Sequence, residues 1–111
     1  MHMINFQNKE IGTDSDGYLI NLNDWHEDIV PILASKENIV LTLEHWEVIY
    51  LVRQFYLEFK VSPAMRLLVK AMEKTYGSKK GNSKYLFTLF REGPAKQATK
   101  LAGLPKPVKC L

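Results

Sequence analysis

The sequence predicts an α+β domain, mainly helical, with an N-terminal β-hairpin packed on a helical core and a flexible, extended C-terminal arm. Three observations lead there. Short apolar-alternating pieces flank turn-forming residues near the start, capped segments of helical periodicity follow, and the chain closes on "GLPKPVKCL", residues 103–111, braced by two prolines. A chain of 111 residues suits one compact domain, so residues 1–102 form the domain and 103–111 the arm.

The hairpin spans about residues 4–20. Ile4 and Phe6 flank a polar position, Gln7-Asn8 can turn, and Glu10-Ile11 can return. Tyr18 to Ile20 can extend it after Asp16-Gly17. A lone hairpin is marginal, so it must pack on the helices that fill about 24–102.

In the first of these Asp24 caps a short helix, with Glu27 completing a capping box, and Pro31 kinks or restarts it. Thr42 caps "LEHWEVIYLVRQFYLEF", where Val48, Val52, Phe55 and Phe59 form a stripe widened by Ile49, Leu51 and Tyr56. Apolar residues on most sides mark it as the central buried helix. Ser62-Pro63 opens the next helix and Gly77 stops it. Leu67, Leu68, Ala71 and Met72 face inward there, and Arg66, Lys70 and Lys74 make a basic ridge. Asn82 or Ser83 starts a helix carrying Leu86, Phe87, Leu89 and Phe90. "PAKQATKLA" follows Gly93; its mostly small inner residues make it the least firmly attached helix, ended by Gly103.

Composition excludes several classes. At 46% hydrophobic and 24% charged residues the chain is of ordinary globular type, without an apolar run that could span a bilayer. Met1-His2-Met3 precedes polar residues rather than a signal core, His2 has the look of a cloning scar, and the expected location is cytoplasmic. One cysteine excludes an internal disulfide and metal sites built on cysteine pairs. His2, His26 and His45 lack metal-ligand spacing and read as surface or cap residues, so no metal and no cofactor are expected.

Charge is unevenly placed. Residues 1–47 hold nine acids and two bases, a net −7, while 48–111 hold three acids and thirteen bases, a net +10. The basic half points either to an anionic partner or to a solvated face balanced by the acidic half. The segments from Pro63 to Tyr76 and from Ser83 to Phe90 resemble a loose helix-turn-helix, an alternative nucleic-acid-binding reading; a two-helix corner of the core is the plainer one.

The arm concentrates the chemistry. Pro105 and Pro107 push Leu104 and Lys106 from helical geometry, so Gly103 to Cys110 should run extended and join the core poorly. At about 3.1 Å per residue it would carry the thiol on the order of 20–25 Å from the last helix. Lys106 and Lys109 favour a thiolate, although a free thiol with a pKa of about 8.5 is mostly protonated at neutral pH. Cys110 therefore reads either as a carrier thiol activated by its partner or as one residue of a frayed tail.

"LTLEHWEVIYLVRQFYLEF", "SPAMRLLVKAM", "GNSKYLFTLF" and "GPAKQATKLAGLPKPVKC" together resemble the DsrC/TusE family over nearly the whole chain. The resemblance implies a sulfurtransferase whose Cys110 accepts persulfide sulfur from a TusBCD-like donor complex. The sulfur would pass to an MnmA-like thiouridylase for 2-thiolation of the tRNA wobble uridine. It implies that Gly103, Leu104, Pro105, Lys106, Pro107 and Lys109 serve the arm and its docking, with Lys96 and Lys100 steering by charge. Contact with tRNA would be indirect or weak, with no role for a membrane. The sulfite-reductase branch of the family usually carries a second cysteine where this chain has Thr99, which disfavours that alternative.

Overall fold

The computed structural model describes residues 2–107. Strands β1 (His2–Phe6) and β2 (Lys9–Thr13) pair antiparallel, with Ile4 opposite Ile11. Both isoleucines are buried and form the hairpin's contribution to the core. Gln7 and Asn8 take φ of 50° and 63°, the doubly left-handed geometry that matches the twist of a two-residue hairpin. A bridge between Thr13 and Leu19 extends the pairing, and the Asp14 carboxylate organises the turn by accepting from the amides of Asp16 and Tyr18.

Two single 3₁₀ turns, Leu22–Asp24 and Glu27–Ile29, precede α1 (Val30–Lys36). Asp24 does not cap a helix. Asn21 and His26 do so instead, through side-chain acceptors for the amides of Asn23 and Asp28. Pro31 falls in the first turn of α1, where its missing N–H costs nothing, and so restarts the helix.

α2 (Leu43–Phe59) begins at Thr42, whose backbone N–H donates to Nδ1 of His45 at 3.0 Å. That bond leaves the ring proton on Nε2, which donates to the Leu89 carbonyl at 2.8 Å. His45 is thus a buried cap that ties α2 to the following helices. Burial on α2 is confined to its first ten residues, at His45, Val48, Ile49 and Val52. Leu57 and Phe59 are 57% and 55% exposed, so α2 is only half buried rather than the central helix.

α3 (Met65–Tyr76) ends at Gly77, and α4 (Ser83–Leu89) is capped by Asn82, which accepts from the Tyr85 amide. Leu68 and Met72 face the core from α3, whereas Leu67 is 46% exposed; on α4, Leu86 is buried and Phe87 is exposed. The central element is α5 (Pro94–Leu101), which packs against all four other helices. This overturns the expectation that it is loosely held. Ala95, Ala98 and Ala102 bury little area each, but their small size lets neighbouring helices approach closely around Leu101.

Candidate functional site

The root of the arm is built from residues far apart in sequence. α5 ends in a Schellman motif: the Gly103 amide donates to the Lys100 carbonyl and the Leu104 amide to the Thr99 carbonyl. Gly103 takes φ +70°, and a Cβ there would stand 2.3 Å from Cδ1 of Trp25. Nε1 of Trp25 donates to the Leu101 carbonyl at 2.8 Å. Nη1 of Arg53 donates to the Ala102 carbonyl at 2.6 Å, and its guanidinium lies 3.8 Å from the Trp25 ring centroid. Two carbonyls at the helix C-terminus are thereby satisfied, one of them by a cation that complements the dipole. Burial lowers the Arg53 pKa, yet an arginine keeps its charge in proteins.

The expected departure from the core at Gly103 is displaced towards the C-terminus. Leu104 is 3% exposed and belongs to the core cluster. Burial of its side chain in that cluster outweighs the stiffness that Pro105 imposes on it. Ser62 does not cap α3; its hydroxyl donates to the Pro105 carbonyl at 2.7 Å. Nζ of Lys106 reaches Oδ2 of Asp16 at 2.6 Å, and Pro107 is buried. The hydrogen bond from Lys106, then its charge, hold the Asp16 carboxyl below its ordinary pKa. The pair therefore contributes above the usual aspartate pKa and fades as pH falls through the depressed value, modestly because both side chains are about half exposed, at 53% each.

Lys109 and Cys110 lie outside the described residues. Of the two lysines assigned to steering, Lys96 is exposed, whereas Lys100 forms an ion pair with Glu37 at 3.0 Å and is 13% exposed. Among the described residues no group of three His, Cys, Asp or Glu side chains could hold a metal, and no helix is long and apolar enough to cross a membrane. Trp25, Arg53, Ser62 and Asp16 were not singled out by the sequence as arm residues. Arg53 carried a usable signal, since a cation between buried Val52 and half-buried Tyr56 needs an acceptor near the core.

A family profile described as "DsrC like protein" matches residues 5–111. The chain belongs to this DsrC-like family. Sulfurtransferase TusE of Yersinia pestis is 60% identical over 109 residues, covering 98% of this chain and 100% of that protein. Sulfurtransferase TusE of Photorhabdus laumondii is 60% identical over 111 residues, covering 100% of both. Among solved structures of the family, DsrC of Allochromatium vinosum superposes with a TM-score of 0.89 at 48% identity, covering 98% of this chain and 97% of that one. The oxidized DsrC γ-subunit of dissimilatory sulfite reductase from Archaeoglobus fulgidus gives 0.87 at 35%, covering 99% and 100%. The hairpin and the five helices of this chain thus form a DsrC-like fold.

Proposed function

We propose that the chain is a sulfur carrier in a relay, with Cys110 as the carrier thiol. The observation that carries this reading is the placement of the single cysteine three residues beyond a segment anchored to the body. Gly103, Leu104, Pro105 and Lys106 are each held by a specific contact, so the stretch bearing the thiol starts from a defined point. From Pro107 three residues span at most about 10 Å, and release of the contacts at Leu104 to Lys106 would extend that reach. The sulfurtransferase names of relatives at 60% identity support a sulfur-relay role.

In the loading step the Cys110 thiolate attacks the terminal sulfur of a donor persulfide. A new S–S bond forms at Cys110, the donor S–S bond breaks, and the donor leaves as a thiolate; no external oxidant or reductant is consumed. The donor is a TusBCD-like complex. In the unloading step the acceptor takes the terminal sulfur and Cys110 leaves as thiolate. The acceptor is an MnmA-like thiouridylase that modifies the tRNA wobble uridine. Activation of the thiol comes from the partner's site, because the arm itself offers only lysines. Thr99 is fully buried at the end of α5 and is not a thiol, so a one-thiol relay fits better than an internal disulfide exchange.

The test is intact-mass analysis after incubation with a cysteine desulfurase, the donor complex and cysteine. The wild-type chain gains one sulfur atom and Cys110→Ser gains none. An unloaded wild type, or a loaded Cys110→Ser variant, would refute the carrier reading.

A further inference from the structure

An open groove of about 500 Å³ runs between α2 and α3. Residues 51, 54, 55, 58 and 59 line it from α2, and 67, 70, 71, 74 and 75 from α3. Both sets follow the i, i+3, i+4, i+7, i+8 rows of a helix face, so the two facing ridges leave a trough between them. Leu51, Phe55, Phe59, Leu67 and Ala71 supply its apolar surface. The Phe55 and Phe59 rings lie 4.7 Å apart, with Phe59 55% and Leu67 46% exposed. Leu51 still packs against the core, but Phe59 and Leu67 leave about half of their apolar surface to solvent, and clustered exposure of this kind marks a contact surface.

Two further observations choose the occupant. Lys70 and Lys74 edge the α3 side, one turn apart and both exposed, opposite Glu58 of α2, the one acid among the described lining residues. The groove also adjoins the arm root, because Ser62, three residues after Phe59, holds the Pro105 carbonyl. A molecule seated in the groove therefore lies beside the point from which the cysteine-bearing segment departs.

We propose that this groove docks the sulfur-donor protein by receiving an amphipathic helix whose edge towards α3 is acidic. The inference rests on the relay reading above and names the surface of the partner. A helix suits a trough between two helical ridges, with apolar anchors one turn apart. The acceptor fits less well, since a protein that holds tRNA needs cations near its substrate and would repel Lys70 and Lys74. RNA alone would leave the aliphatic surface of Leu51 and Leu67 unused.

The experiment measures Cys110 loading by intact mass as a function of donor-complex concentration. The proteins are full-length wild type, Leu67→Glu, the double variant Lys70→Glu/Lys74→Glu, and Lys84→Glu as an exposed charge change outside the groove. The groove variants should raise the half-saturating donor concentration by about tenfold or more, with loading at saturation close to wild type and Lys84→Glu unaffected. All the altered side chains are substantially exposed, and circular dichroism confirms folding; the lysine variant leaves the apolar surface intact should Leu67→Glu fold poorly. Wild-type loading with an unchanged concentration dependence in both groove variants overturns the docking proposal while the relay stands. A wild type that the donor cannot load overturns both. Self-association lost in Leu67→Glu, or tRNA binding lost while donor dependence is unchanged, reassigns the groove to a second copy or to RNA and overturns the proposal.

Discussion

Gly103 has room for a hydrogen and nothing larger. Its φ of +70° disfavours an L side chain, and the three atoms nearest to a methyl at that position would all belong to Trp25. Gly103→Ala should therefore destabilise the domain by about 2–4 kcal/mol, combining left-handed strain with overpacking. Urea denaturation measures it, and the same substitution in a Trp25→Ala background should cost less, because only the strain remains. Equal costs in the two backgrounds would remove the indole from the account. The glycine was legible in the sequence as a helix stop because a Schellman turn is local chemistry. Its partner was not: Trp25 lies 76 residues from the carbonyl it binds, and no spacing rule reaches that far. Ser62 illustrates the same limit. It has the composition of an N-cap, but its hydroxyl is used 43 residues away on Pro105.

At the scale of elements, the hairpin and most helix boundaries were readable because Gln7-Asn8, Thr42, Gly77 and Asn82 act on their immediate neighbours. The importance of α5 was not, because periodicity weighs apolar bulk and α5 packs through small residues. Thr99 makes the point sharply. It is fully buried, its carbonyl receives the Leu104 amide, and its hydroxyl has no hydrogen-bond partner among the described residues. An unpaired buried hydroxyl costs free energy that a methyl of the same shape does not. Thr99→Val should thus stabilise the domain by about 1 kcal/mol, read from the denaturation midpoint at unchanged m-value. A destabilised Thr99→Val variant would mean that the hydroxyl has a partner, such as a buried water.

Across the whole molecule the two oppositely charged halves are stitched together. Glu37–Lys100, Glu47–Lys80 and Asp16–Lys106 each join an acid from residues 1–47 to a base from 48–111. Part of the charge asymmetry visible in the sequence, three of the nine acids of residues 1–47, is thus internal pairing, while Arg66, Lys70 and Lys74 remain exposed on α3. The pair involving Lys106 belongs to a wider pattern in which the start of the arm closes the fold. Leu104 fills the core, Pro105 is held by the α2–α3 connection, and Lys106 reaches the hairpin side at Asp16. Removing residues 104–111 should consequently destabilise the domain as well as remove the thiol. Loss of the Leu104 side chain alone is worth about 2–3 kcal/mol, which for a domain of this size lowers Tm by roughly 10 °C or more. Ending the chain after Pro107 keeps these contacts, so that truncation should melt well above the shorter one, although both lack Cys110. Calorimetry on the two truncations separates the cases. Equal melting temperatures would show that the arm root is an appendage, and the anchored starting point used in the relay argument would be lost with it.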